Sequence, residues 1–239
     1  MDVVPIPRAA ISDTVFTRLV EEILTGRLAA GEPIPSEREL ALAFQVNRHA
    51  VREALKRVQQ AGLVRISHGG KTRVLDWRTS AGLDALTGLA VARVIPARQI
   101  LGDVAVMRRS IGADAARLCA LDASDDQRAR ITTAAHAYPE SGALDKVADA
   151  DLQFWIAVID GSGNIAYRLA LNTLVAAFDD IGPDLITTLG AAEFADRVAH
   201  IDLASAIAGH DADAAHRIAE GLLTRFVAAC QADPEGLER

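Results

Sequence analysis

Arg48 and Arg52 stand four residues apart in the run Val46-Asn47-Arg48-His49-Ala50-Val51-Arg52-Glu53-Ala54-Leu55. Four residues is close to one helical turn, so both guanidinium groups project from one face. Two such groups on a short helix can reach base edges and phosphates together when the helix lies in a major groove. Asn47 is a good N-cap for that helix, which runs through Leu55 and Val58 toward Gly62. Upstream, in Pro35-Ser36-Glu37-Arg38-Glu39-Leu40-Ala41, Ser36 and Glu39 have the reciprocal spacing of a capping box. The chemistry therefore requires two short helices in tandem, with the arginines on the second.

The elements that would position them follow from the flanking pattern. Ile11 to Leu24 reads as a first helix, capped by Ser12 or Asp13, with Val15, Leu19 and Ile23 as its apolar stripe. Gly31-Glu32-Pro33-Ile34-Pro35 reads as a rigid connection. Leu63 to Ile66 and Thr72 to Leu75 are short β-like runs around a glycine-rich tip, Ser67-His68-Gly69-Gly70-Lys71. Three helices and a basic hairpin describe a winged helix-turn-helix. Each arginine also has a bland reading, as a solvated charge or a surface partner of Glu53 or of the region around Glu39. For His49 and His68 the two readings are balanced.

The net charge of −7 argues against a nucleic-acid partner until its distribution is examined. Between Pro35 and Arg73 there are 8 basic residues to 3 acidic, whereas beyond Asp76 there are 14 basic to 23 acidic. Local potential governs association with a polyanion, so the first third remains a DNA-binding candidate. No run of apolar residues is long enough to span a membrane, and the first residues have no signal-peptide pattern. Cys119 and Cys230 are too few and too distant for a disulfide framework, which suits reduced, buried thiols in a cytoplasmic protein.

Half the residues are hydrophobic but only 4% are aromatic, a composition suited to closely packed helices. After a linker at 76–82 nearly everything repeats with helical period. Ile100, Val104, Met107, Ile111, Ala115 and Leu118 form one stripe on a long helix. Further helices are predicted at Asp125 to His136, Leu144 to Asp160, Ala166 to Asp180, Glu193 to Ala208 and Asp213 to Gln231. The fold expectation is mainly α. An N-terminal winged helix-turn-helix with a small β-hairpin wing (8–75) precedes the linker, and an antiparallel all-α bundle of six or seven helices (83–232) follows it.

With both halves in view, the chain resembles the GntR superfamily of bacterial transcription regulators, in its FadR subfamily. The residues carrying the likeness in the first part are Gly26-Arg27-Leu28, Gly31-Glu32, Pro35 to Ala41, Val51 to Leu55 and Gly62-Leu63. The hairpin Ile66-Ser67-His68-Gly69 with Lys71-Thr72-Arg73-Val74, the segment Asp76-Trp77 with Gly82-Leu83, then Gln99-Ile100 and Arg108, resemble the subfamily's fatty-acid-metabolism regulator. In the second part Asp151-Leu152-Gln153-Phe154, Gly163-Asn164, His200, Ala206-Ile207 and Asp211 continue the match. The resemblance implies DNA contacts at Arg38, Asn47, Arg48, His49, Arg52, His68, Gly69 and Lys71. Asn47 stands where the superfamily usually has Ser or Thr.

Many members of the subfamily hold a divalent metal with one Asp and three His. Here Asp151 and His200 match two of those ligands, while Trp155 and Leu222 fall where histidines are expected. His216, six residues before Leu222, points about 120° away from it. No metal and no other cofactor is therefore expected. Arg108 matches an effector-contacting arginine of the fatty-acid branch and needs either an internal carboxylate or a ligand's acidic group. Asp151, Trp155, Asn164 and His200 complete the candidate effector set, with helix capping as the alternative for Asn164 and core packing for Trp155 and His200. The expected function is a homodimeric, DNA-binding regulator whose operator affinity responds to a small acidic effector, either a fatty acyl-CoA or an organic carboxylate. The alternatives are a metal-dependent, organic-acid-responsive regulator and an enzyme using Asp151 and His200 as an acid–base pair. The sequence supplies no nucleophile motif or phosphate loop for the latter.

Overall fold

A computed structural model describes residues 8–66, 71–91, 95–139, 143–181 and 183–232. Contacts divide the chain into two compact units, Met1–Ala97 and Arg98–Arg239.

In the first unit, α1 (Arg8–Leu24), α2 (Glu37–Ala43) and α3 (Arg48–Gln60) precede β1 (Val64–Arg65) and β2 (Arg73–Val74). The start of α2 is fixed by the reciprocal bonds the sequence predicts: Ser36 Oγ accepts from the Glu39 amide, and the Glu39 carboxylate accepts from the Ser36 amide at 2.8 Å. Asn47 Oδ1 accepts from the Ala50 amide at 2.9 Å and so starts α3. Val51, Ala54, Leu55 and Val58 on α3 are buried with Val15, Leu19 and Ile23 of α1. Between α2 and α3 the chain turns through Gln45, a non-glycine residue with φ of 55°.

The strands pair antiparallel with Val64 opposite Val74 and Arg65 opposite Arg73. The segment expected as a plain connection does more. Gly31 donates to the Val74 carbonyl, Val74 donates to the Glu32 carbonyl, and Ile34 donates to the Thr72 carbonyl, so it lies along β2 as a third edge. Alternation over so few residues, two of them proline, carries no strand signal.

After the wing come α4 (Trp77–Ser80), a single turn inside the expected linker, and α5 (Ala85–Val91). α5 packs on α1, with Gly88 pressed so close to Val20 that a Cβ there would come within 2.8 Å of it. α5, expected with the helical bundle, therefore packs within the first unit.

The second unit contains α6 (Ala97–Asp122), α7 (Asp125–His136), α8 (Leu144–Gly161), α9 (Ile165–Ile181), α10 (Pro183–Phe194), α11 (Arg197–Ala208) and α12 (Ala212–Ala232). The expected single helix from Glu193 to Ala208 is instead two. Asp196 accepts from the Ala199 amide at 2.9 Å and starts a new helix where no Gly or Pro marks a break. On α6 the predicted stripe holds in part: Ile100, Val104 and Ala115 are buried while Met107, Ile111 and Leu118 are only half-buried, and Leu101, Ala105, Ala116, Cys119 and Ala120 widen the buried face. Small residues on that face allow neighbouring backbones to approach closely.

Two outcomes follow from this packing. Gly62 has φ of 71°, and a Cβ there would fall 2.4 Å from the Ser80 carbonyl oxygen. Gly62→Ala should cost about 2 kcal/mol or more of unfolding free energy in urea, because it meets both the left-handed conformation and a backbone clash. Cys119 is fully buried, donates to the Val158 carbonyl, and has its thiol pushed up to about 12 by burial. Cys230 is buried as well, with its thiol raised by the same cause. Both thiols should resist a disulfide reagent at pH 8 until guanidinium unfolds the chain, after which both should titrate.

Candidate functional site

On the first unit, Arg38, Asn47, Arg48, His49, Arg52 and Lys71 are all exposed. His68 and Gly69 lie outside the described residues. Asn47 spends its side-chain oxygen on the α3 cap, so its role in the geometry is to set the angle of that helix. Arg48 and Arg52 leave α3 on one side, as their spacing predicts. Arg52 is not free, however: its Nε and Nη2 donate to the two Glu37 oxygens at 3.1 and 2.9 Å. The partner lies in the region around Glu39, one of the two alternatives the sequence left open, and is not Glu53. Glu37 sits at the start of α2, 15 residues earlier, and the Arg52 side chain holds its carboxyl below the usual range. This bidentate contact presents the arginine fork in a fixed orientation.

Other basic groups of the segment are engaged elsewhere. Arg57 pairs with Asp13 and stacks on Phe16 at 4.2 Å, Lys56 pairs with Glu53, and Arg73 donates to the Gly31 carbonyl. Arg38, Arg48, Arg65 and Lys71 make no ion pair or side-chain hydrogen bond among the described residues. A cleft of about 920 Å³ runs between α2, α3 and the wing, with Arg52, Lys56 and Lys71 on its walls. The face thus combines pre-oriented and uncommitted cations, the arrangement suited to a phosphate backbone and base edges.

The second unit buries a polar cluster. Arg108 of α6 donates through Nη1 to Glu193 Oε2 at 2.8 Å, lies 2.6 Å from Glu193 Oε1 through Nη2, and donates to Asp151 Oδ2 at 3.2 Å. Asp151 Oδ1 accepts the Tyr138 hydroxyl at 3.0 Å and meets His200 Nε2 at 3.1 Å. The other ring nitrogen of His200 lies 2.8 Å from the Asp196 carbonyl, an acceptor only, so it carries a proton. Arg108 thus faces the carboxyl groups of both Glu193 and Asp151, and Asp151 also meets the His200 ring.

The energetics follow from burial. Glu193 is completely buried, which pushes its carboxyl up against the pull of Arg108. Burial also acts against the charge of Arg108, but Glu193 and Asp151 outweigh it and raise that group further above its ordinary value. Tyr138 is raised by burial and by the adjacent Asp151. Glu193 and Tyr138 were absent from the sequence-derived set. The only signal for Glu193 was an acidic residue in an otherwise apolar stretch, and no spacing linked it to Arg108.

Beside this cluster lies a cavity of about 180 Å³, lined by Arg108, Asp151 and Trp155 and otherwise mainly by apolar side chains such as Leu171, Leu174 and Phe226. His200 is fully buried and contacts the cavity only through Asp151. Asn164 is not part of this site. Its oxygen accepts from the Ala166 and Tyr167 amides at the start of α9, the capping role held open for it in the sequence. The donor set does not fit a divalent metal. The Asp151 oxygens are taken by Tyr138, His200 and Arg108, Trp155 and Leu222 supply no ligand atom, and a guanidinium already provides the positive charge.

A protein-family model described as bacterial regulatory proteins, gntR family, matches residues 11–74, and an FCD domain model matches residues 103–225. The HTH-type transcriptional regulator Mce2R of Mycobacterium tuberculosis is 35% identical over 226 residues, covering 92% of this chain and 91% of that protein. An uncharacterized HTH-type transcriptional regulator of Mycobacterium bovis gives the same figures. A fatty acid metabolism regulator protein of Edwardsiella ictaluri is 30% identical over 164 residues, covering 69% of this chain and 67% of that protein.

Removing Arg108 would leave two buried carboxylates without a cation. Arg108→Ala should therefore destabilise the second unit by about 3 to 5 kcal/mol at pH 8. The loss should shrink as the pH falls: Glu193, already raised by burial, takes up a proton in the folded variant, and stability present at low pH is lost as the pH rises through that raised value. Urea titrations at pH 5 and pH 8 measure both.

Proposed function

The chain belongs to the gntR family of bacterial regulatory proteins, and on that premise we propose that this transcriptional regulator acts as a homodimer whose hold on an operator is set by a small molecule in its FCD domain. The family is one of transcriptional regulators rather than enzymes, so the acid–base reading of Asp151 and His200 is set aside. Two winged units read two half-sites of a near-palindrome in the cytoplasm, with Arg48 and Arg52 of α3 in the major groove and the wing, including Lys71, against the flanking backbone. Arg38 and His49 serve as phosphate contacts beside them.

The observation that carries the effector half is the cavity at the buried cluster. A ligand there touches α6 through Arg108, α8 through Asp151 and Trp155, and α12 through Phe226, so it can favour one helix arrangement over another. The resemblance implies an acidic effector, an acyl-CoA or an organic carboxylate. Such a ligand would have to take Arg108 from Glu193 or Asp151, and release of a buried carboxylate would then be the switching event. No metal enters this reading, because Arg108 supplies the charge that an ion would bring.

The DNA half is tested by selecting genomic fragments on the purified protein and measuring affinity at moderate ionic strength. Arg48→Ala and Arg52→Ala should each weaken binding to the selected duplex by about tenfold, within the range for one bidentate base contact, and leave the melting temperature nearly unchanged. A double variant that binds as tightly as the parent would remove α3 from the interface.

A further inference from the structure

The acid that meets Arg52 bears on which sequences the basic face selects. Resting on the reading that α3 enters the major groove, we infer that Glu37 is a specificity-determining residue. It aims the Arg52 fork at one guanine of the site and keeps that arginine off the phosphates.

The geometry of the pair carries this. A guanidinium holds its N–H donors in one rigid plane, with a side fork of Nε and Nη2 and an end fork of the two Nη atoms. In Arg52 the side fork is taken: Nε donates to Glu37 Oε1 at 3.1 Å and Nη2 to Oε2 at 2.9 Å. Nη1 makes no hydrogen bond among the described residues, so the end fork, Nη1 with the second Nη2 proton, is uncommitted. Guanine O6 and N7 accept such a fork in the major groove. The Arg52 side chain is 56% exposed and lines the cleft between α2, α3 and the wing.

Charge points the same way. Arg48, Arg52 and Lys56 recur every four residues along α3, so they share a face. The Arg52 hydrogen bond, then the charges of Arg52, Arg48 and Lys56, hold the Glu37 carboxyl below its usual range. Glu37 therefore stays negative at neutral pH among the cations that would meet a polyanion, where like charge opposes association. Stability asks little of it there: an exposed pair contributes little, and Ser36 with Glu39 already secures the start of α2.

Discrimination does use it. With its charge matched and its outward atoms fixed, Arg52 gains little from a phosphate, which is the same in every sequence. It gains most from the one base that presents two acceptors along its end fork. A carboxylate on this face also penalises duplexes that offer phosphates alone, the repulsive element that specificity needs beside an attractive one. Arg48 has no acid partner among the described residues and is not aimed in this way.

The selected duplex, its single-base-pair variants and a random duplex are titrated over a range of salt. The proteins are the parent, Arg48→Ala, Arg52→Ala, Glu37→Gln and the Glu37→Gln/Arg52→Ala double variant. Gln keeps the length of Glu37 but removes the charge and turns one acceptor into a donor facing the fork. Glu37→Gln should relax the same base-pair position that Arg52→Ala relaxes, by about fivefold or more, the lower bound for a bidentate base contact. It should leave the position relaxed by Arg48→Ala unchanged. On the random duplex it should bind more tightly than the parent, with the salt dependence of the binding constant steeper by about one on logarithmic axes. A loosened α2 would not produce that gain. In the Arg52→Ala background Glu37→Gln should cause no further loss of discrimination. An Arg52→Ala profile as sharp as the parent's would overturn the inference while Arg48 still places α3 in the groove. So would a Glu37→Gln variant that discriminates like the parent, or one that weakens the selected and random duplexes alike. If neither arginine variant changed any position of the profile, α3 would not be the reading helix, and the inference would fall with that reading.

Discussion

One buried guanidinium organises the second unit. Arg108 on α6 holds Glu193 at the end of α10 and Asp151 in the middle of α8, and Asp151 in turn gathers Tyr138 and His200 of α11. Five separate stretches of chain are thereby fixed to one another at a point where water is nearly excluded. A buried ion pair adds little net stability compared with well-packed apolar groups, yet breaking it is severe. Its consequence is geometric: the helices pack in the arrangement that brings Arg108, Glu193, Asp151, Tyr138 and His200 within reach of one another. The aromatic faces of Tyr138 and Phe154 close around His200, with ring centroids 4.2 and 5.0 Å away, and complete the enclosure.

The same cluster stands where the resemblance implies a metal site, with a donor set that does not fit a divalent ion. With Trp155 and Leu222 in place of two imidazoles, a divalent ion would have had only Asp151 and His200. Arg108 and Glu193 supply a compensated alternative in which a side-chain cation joins the helices. The Trp155 indole contributes an apolar wall to the neighbouring cavity.

In the first unit the corresponding constraint is the contact of Arg52 with Glu37 across α2 and α3. It is an exposed pair and stabilises the fold little. Its effect is to hold a guanidinium fork at a set angle on the face that also carries Arg48, while Asn47 and Ser36 fix where the two helices begin. The added edge formed by Gly31 to Ile34 ties the wing to the chain that leads into α2. The basic face is therefore carried on short elements that pack on the apolar core shared by α1 and α3, with hydrogen bonds setting where they begin and how the arginine fork is aimed.

Local pattern determined much of this. Caps such as Ser36 with Glu39, Asn47 and Asn164 act over three residues, and the arginine pair on α3 acts over four, so spacing alone specifies them; the helical periods beyond Leu83 are equally local. What spacing does not encode is which distant group meets which. Glu37 and Arg52 are 15 residues apart, Arg108 and Glu193 are 85 apart, and α5 belongs with α1 despite following the linker. Helical period gives the face of a residue but not the neighbour opposite it, and the choice between an arginine open to a ligand and one already satisfied rests on that neighbour. The tertiary structure decided it, because only packing brings two acids from separate helices within hydrogen-bond reach of one buried cation.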